Sequence, residues 1–209
     1  MRGKKSHRFR ILAFDIIQLV GYIEDMKKDS GATRKKLIEA GLTEFSTHGM
    51  AGARVDRIAQ AAGCNKQLIY AYFKNKEGLF AAVYERMVDE IMRAVPFDAN
   101  DLPGYAARLR ALFSERKEVV RMAIWRRLER LTPESAPLRE ITLAKIAAIE
   151  KAQARGKIGK TFSAATLLAL VSQLAMTGAL ATDGPGGSDT AESAEPECIV
   201  EAVRRLCKK

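Results

Sequence analysis

The amino-acid sequence predicts an all-α protein, and three observations carry that expectation. Long stretches are rich in Ala, Leu, Arg, Lys and Glu, the residues that lose little rotamer freedom in a helix. Runs of β-branched residues alternating with polar ones, the mark of a half-buried strand, are nearly absent. Apolar residues instead recur every three or four positions, punctuated by glycines, prolines and short polar clusters. The chain has 209 residues, 47% of them hydrophobic, so it can bury a real core in one large domain or two small ones.

Residues 1–29 stand apart. A basic start (Arg2, Lys4, Lys5, Arg8, Arg10) precedes an apolar stretch from Ile11 to Ile23, superficially like a secretory signal. Asp15 and Gln18 interrupt it, it is too short to span a bilayer, and no small-residue cleavage site follows. Two readings stay open for this segment: a disordered basic arm, or residues ahead of a true start at Met26.

The first expected helix begins at Thr33, with Thr33 or Ser30 as its cap, and closes at Gly49. Leu37, Ala40 or Gly41, and Phe45 lie on one face; Gly41 inside a helix implies close packing there. A second helix covers Arg54–Ala62, with Val55, Ile58, Ala59 and Ala62 inward. Gly63-Cys64-Asn65 makes a tight turn, Asn65 capping a short third helix, Lys66–Phe73, whose Ile69 and Phe73 face the core. A fourth runs from Lys76 to Ala94.

Two short helices around a Gly-containing turn form a helix-turn-helix pattern. The turn must be tight for the second helix to reach into a major groove about 12 Å wide, and its outer face must offer donors and acceptors. Lys66, Gln67, Tyr70, Ala71 and Lys74 meet that need. Charge agrees: residues 33–76 hold eight Lys or Arg against three acids, which is half of the net +10. That balance favours an anionic partner such as nucleic acid.

After a linker at Asp98–Pro103, helices are expected at Leu102–Ser114, Lys117–Leu131, Leu138–Arg155, Ser163–Thr182 and Glu195–Cys207. Asp183–Pro196, rich in Gly, Ser, Asp and Glu, connects the last two. Phe162–Leu180 carries no charge, and a helix apolar almost all round has to be covered on most sides. Ser172, Gln173 and Thr177 argue against a membrane span.

Other chemistry is not indicated. Cys64, Cys198 and Cys207 form no CxxC or pairing pattern, which suits a reducing cytoplasm. His7 and His48 belong to no ligand-spaced set, so no metal is expected. No nucleophile–base pair or phosphate loop is visible, so no enzyme and no cofactor are expected.

The stretch Thr33–Phe80, roughly a quarter of the chain, resembles the tetracycline-repressor-type (TetR) family of regulators. The matching residues are Ile58-Ala59, Ala62-Gly63, Tyr70-Ala71-Tyr72-Phe73, Lys76-Glu77 and Leu79-Phe80. The chain departs from the pattern at Ala53-Arg54, where Thr or Ser is usual, and at Glu44, where an apolar residue is usual. The first departure removes a phosphate-binding hydroxyl that Arg54 can replace.

The resemblance implies a three-helix DNA-binding domain at 30–78 and a helical ligand-binding and dimerisation domain at 79–209. It places Lys66, Gln67 and Leu68 against base edges, and Tyr70, Tyr72 and Lys76 against phosphates or sugars. Arg34, Lys35, Lys36 and Arg54 become backbone contacts, beside Ala71 and Lys74 on the recognition face. Tyr70 and Tyr72 equally fit half-buried core, and Lys35 and Lys36 a solvated face.

In the family, late apolar helices pair two copies of the chain. Leu167, Leu170, Val171, Leu174, Ala175 and Gly178, with Ala179 permitting close approach, are the corresponding dimer residues; intrachain core is the alternative. A pocket for an unknown small-molecule effector would draw on Phe113, Met122, Trp125, Leu128, Met176 and Thr177, each of which also suits ordinary core. Arg126, Arg127 and Arg130 fit either an anionic ligand or a solvated face.

The expected function is a cytoplasmic, homodimeric, ligand-released repressor reading double-stranded operator DNA, without a membrane partner. A thiol redox sensor using Cys198 and Cys207, and a non-specific DNA-binding protein, are the alternatives.

Overall fold

The structure, a computed structural model, describes residues 31–129, 136–177, 179 and 196–208. Among the described residues the only regular secondary structure is helical. The elements are α1 (31–52), α2 (Val55–Ala61), α3 (Lys66–Phe73), α4 (Lys76–Ala94), α5 (Leu102–Glu115), α6 (Lys117–Leu128), α7 (Ala136–Ala154), α8 (Ala164–Met176) and α9 (Pro196–Leu206). The segment 1–29, Arg130, Gly178 and most of the 183–196 connection lie outside the described residues.

Several boundaries move from their expected places. α1 already runs at residue 31, so Thr33 is inside it and caps nothing. α8 stops at Met176, short of the expected Thr182, because Thr177 adopts an extended backbone (φ −59, ψ 130). α5 begins at Leu102, where it is expected: the Asp101 carboxylate accepts from Gly104 N–H at 2.9 Å, and Pro103 occupies the first turn, where a missing N–H costs nothing.

α2 and α3 pack against each other and α3 against α4. Further along, α5 packs on α8 and α9, and α7 on α8. One apolar core runs through both halves, from Leu37, Phe45, Ile58, Ile69 and Leu79 to Leu102, Met122, Leu167 and Val203. Gly41 answers to close packing: a β-carbon there would lie 2.9 Å from Val83 Cγ2 of α4. Phe45 and Phe80 meet edge to face, centroids 5.1 Å apart, fastening α1 to α4.

Loops in the second half are tied by backbone carbonyls. Gln153, buried, donates its amide to the Gly159 and Phe162 carbonyls, each at 2.9 Å, and Gly159 N–H donates to the Cys207 carbonyl at 2.9 Å. Among the described residues no helix is long and apolar enough to cross a membrane. Nor, among them, do three His, Cys, Asp or Glu side chains gather as a metal-binding group.

Candidate DNA-binding site

The recognition helix is assembled by short-range interactions. Gly63 adopts φ +62, a conformation that costs Gly little, and turns the chain out of α2. The Asn65 side chain accepts from Gln67 N–H at 2.9 Å and starts α3 as a side-chain cap. Ile69 and Phe73 then point into the core, fully and almost fully covered, while Lys66, Gln67, Tyr70, Ala71 and Lys74 stand exposed on the opposite side. The expected polar face is present as one surface.

The stop after α3 is equally local. Lys74 takes φ +68, and Asn75 caps α4 by accepting from Gly78 N–H at 2.7 Å. A β-carbon at Gly78 would overlap the Phe73 carbonyl oxygen, so this position requires glycine. α3 and α4 can therefore meet at a fixed short distance.

Some residues expected at the DNA surface have other partners. The Lys66 ammonium pairs with Asp56 of α2 at 2.9 Å; this hydrogen bond raises the lysine's pKa and lowers the acid's. Both groups are exposed, so the pair can open when phosphates or bases compete. Lys76 donates to the Ala53 carbonyl at 3.1 Å and so ties the start of α4 to the α1–α2 corner. Leu68 is half-buried against the core, and Tyr72 is half-buried with its ring 6.2 Å from that of Phe73. Arg34 lies over the Phe73 ring at 5.3 Å, bracing the far end of α3, and Lys35 pairs with Glu39 at 3.7 Å. Arg54, exposed at the start of α2, has no side-chain cap to make.

Glu44, which departs from the family pattern, has a definite job in the structure. Its carboxylate accepts from Arg54 N–H at 2.8 Å and from Arg57 Nε at 2.7 Å. Glu44 thus supplies, from α1, the N-terminal acceptor that Ala53-Arg54 lacks. The two departures compensate each other. Burial opposes ionisation of this carboxyl, but the Arg57 and Arg54 hydrogen bonds and the nearby Arg57 and His48 charges hold its pKa below the ordinary value.

A second carboxylate at this corner carries no mark in the sequence. Glu129, just past α6, accepts from Met50 N–H at 2.8 Å and Ala51 N–H at 3.1 Å. Beside it, Trp125 Nε1 donates to the Ser46 carbonyl at 3.3 Å. Gly49, with φ +66, lies under both: a β-carbon would fall 2.8 Å from Trp125 Cε3 and 2.7 Å from Glu129 Oε1. α6 also reaches α4, where the Arg126 guanidinium covers the Tyr84 ring at 4.7 Å. Arg116, at the α5–α6 junction, bonds Glu90 of α4 at 3.1 Å. No spacing rule could have paired residues about 79 positions apart.

The expected pocket residues stand in different surroundings, Met176 half-buried against the core. Phe113 and Met122 are core, Leu128 is 68% exposed, Trp125 is turned towards α1, and the exposed Thr177 offers its carbonyl to the buried Arg110 guanidinium. Of the expected dimer residues, Leu167, Val171 and Ala175 are fully covered within the single chain and so cannot form a contact face as they stand. Leu170 and Leu174 are half-covered, Ala179 is buried, and Gly178 is outside the described residues. Cys198 is exposed and Cys207 half-buried, its thiol pKa raised by burial. Nine residues apart along α9 and its end, they are separated by about 13 Å of helix rise, too far for a disulfide.

A tight, capped turn presenting one polar helix face from a basic three-helix unit defines a helix-turn-helix DNA-binding protein. Comparison with known proteins gives the family. Residues 37–83 match the model of bacterial regulatory proteins of the tetR family, and residues 101–205 that of the tetracyclin repressor-like C-terminal domain. The HTH-type transcriptional repressor SCO4008 of Streptomyces coelicolor is 36% identical over 186 residues, covering 86% of this chain and 97% of that one. A putative transcriptional regulator from the same organism, SCO4942, has a crystal structure that superposes with a TM-score of 0.67 at 37% identity, covering 83% of this chain and 97% of its own. A putative TetR-family regulator from Rhodococcus sp. shares the fold at 23% identity, with a TM-score of 0.59 over 85% of this chain and 100% of its own.

The chain belongs to the TetR family: it is a DNA-binding transcriptional regulator, not an enzyme.

Proposed function

We propose that this regulator is a cytoplasmic homodimeric repressor that a small molecule releases from a pseudo-palindromic operator. The single observation that carries the DNA half of this reading is the exposed face of α3, Lys66, Gln67, Tyr70, Ala71 and Lys74, standing opposite buried Ile69 and Phe73. In this reading Lys66 and Gln67 meet base edges, Lys donating to guanine O6 or N7 and Gln pairing with adenine N6 and N7. Arg54, Lys35, Tyr70 and Lys74 take phosphates. Lys76, Leu68, Tyr72 and Arg34 hold α3 in place.

Dimerisation is assigned to the outward side of α8, with Leu170 and Leu174, rather than to its buried residues. Pairing two chains there would set the recognition helices about 34–36 Å apart, one turn of DNA. The working division of the chain lies close to 30–78 and 79–209, a boundary inside α4 that makes this helix common to both parts. Repression follows the related protein SCO4008, which is named a repressor.

The test is fluorescence anisotropy of the full chain on its own upstream intergenic DNA against scrambled DNA. Specific regulators prefer their sites by about a thousandfold or more. Gln67→Ala should relax base preference, while Arg54→Ala should weaken all sequences alike and lower the salt slope by about one. Equal binding to both DNAs would defeat the operator reading.

A further inference from the structure

Between α5 and α7 lies a group of hydrogen-bond donors with too few acceptors. Tyr105 is 2% exposed, and its ring packs edge to face on Phe97, centroids 4.9 Å apart. From α7, the half-buried Lys145 donates to the Tyr105 hydroxyl at 3.0 Å. The Lys145 ammonium sits 5.4 Å from the Tyr105 ring centre and 5.5 Å from that of Phe97.

The inventory of donors is unbalanced. Tyr105 Oη accepts one proton from Lys145, which leaves its own O–H and two ammonium N–H groups without an acceptor among the described residues. The acids closest in sequence are engaged: Asp101 takes Gly104 N–H and pairs with Arg108, and Asp98 takes the Asn100 amide. Among the described residues no carboxylate pairs with Lys145, and Arg108, whose charge is felt at Tyr105, adds another positive group. Burial lowers the Lys145 pKa and pushes that of Tyr105 up to about 12, so the hydroxyl stays protonated and able to donate. The Tyr105 O–H is a covered donor, and covered donors without a match are uncommon in folded proteins and call for an acceptor.

We propose that Lys145 and Tyr105 receive the carboxylate of a small organic acid, whose body lies against Phe97. One carboxylate oxygen takes a hydrogen bond from the Lys145 ammonium and the other takes the Tyr105 O–H. A carboxylate is acceptor-only and singly charged, which suits one cation and one hydroxyl. A phosphate group, with three strong acceptor oxygens and up to two charges, asks for more donors than these two side chains provide. Lys145 is only partly covered, and that partial cover strengthens the attraction over its value in water. As the effector site, this assignment rests on the ligand-release reading above; as a binding site it stands without it.

Calorimetry on the full chain tests it, with benzoate as the probe and benzamide as its neutral analogue. Benzoate should bind saturably at millimolar concentrations, with benzamide weaker by about tenfold or more, as expected for charged hydrogen bonds. Lys145→Met should abolish benzoate binding, Lys145→Arg should retain it, and Tyr105→Phe should weaken it while keeping the packed ring. Absence of benzoate binding, equal binding of benzamide, or benzoate binding that survives Lys145→Met in a folded protein overturns the proposal. DNA anisotropy separates the two readings. Benzoate that binds without releasing DNA leaves the carboxylate site standing and removes its effector role. A neutral compound that releases DNA equally from wild type and Lys145→Met keeps ligand release but assigns it elsewhere.

Discussion

The two ends of the helix-turn-helix are built differently. At its working end, α3 and α4 start on Asn65 and Asn75, whose side chains cap backbone N–H groups two and three residues away. At its rear, the α1–α2 corner depends on carboxylates from elsewhere: Glu44 of α1 serves Arg54 N–H, and Glu129 beyond α6 serves Met50 and Ala51 N–H. The caps of the recognition helix are therefore local, whereas the corner takes one cap from its own α1 and another, at Met50 and Ala51, from a residue beyond α6.

The largest effect is expected where that corner is tightest. Gly49→Ala places a side chain at φ +66 and drives its β-carbon against Trp125 and Glu129. Left-handed strain of about 1–2 kcal/mol and overpacking of about 1–3 kcal/mol together predict a loss of about 3 kcal/mol in urea unfolding. The midpoint should fall with little change in slope. A loss below about 1 kcal/mol, less than strain and overpacking imply, would show that α6 yields and that the corner is loosely held.

Next comes the direct contrast of remote and local caps. Glu129→Gln keeps the shape but removes the charge from two hydrogen bonds, for an expected loss of about 2 kcal/mol. Asn65→Ala removes one local cap and should cost about 1 kcal/mol. Amide hydrogen exchange checks the difference in kind: Glu129→Gln should speed exchange at Met50 and Ala51, Asn65→Ala at Gln67. If Asn65→Ala also loosens Met50, the two ends are one cooperative unit and the distinction fails.

The same contrast explains what could be read in the sequence. The all-α class, the α2–turn–α3 unit, the Asn65 cap and the outward set Lys66, Gln67, Tyr70, Ala71 and Lys74 all follow from interactions within a few positions, which periodicity and capping rules describe. Gly41 and Gly49 could be marked as special, but their neighbours, Val83 for one and Trp125 with Glu129 for the other, could not. Lys66 and Lys76 look like free cations until Asp56 and the Ala53 carbonyl are placed beside them. The apolar run of α8 announces burial without saying whose. Leu167, Val171 and Ala175 are covered by their own chain, and only Leu170 and Leu174 are left half-open. Lys145 and Tyr105, forty residues apart, carry no local mark at all.

The smallest effect discriminates most finely, because Glu44 belongs to both kinds of interaction: it is ten residues from Arg54 yet on a neighbouring helix. Burial works against its ionisation, but the Arg57 and Arg54 N–H bonds outweigh it and lower the folded-state pKa below the ordinary 4.5. A depressed carboxyl stabilises the fold fully above its unfolded pKa and loses that contribution as pH falls through the folded value. Wild type should therefore exceed Glu44→Gln by about 1 kcal/mol at neutral pH, with the gap closing below about pH 4 as the wild-type carboxyl takes up its proton. Unfolding of both proteins across that range measures it. A gap that persists in acid means that the loss in Glu44→Gln is not the loss of the carboxylate charge. No gap at neutral pH means Gln caps Arg54 as well as Glu does, and the Arg57 pair then contributes nothing to holding the corner.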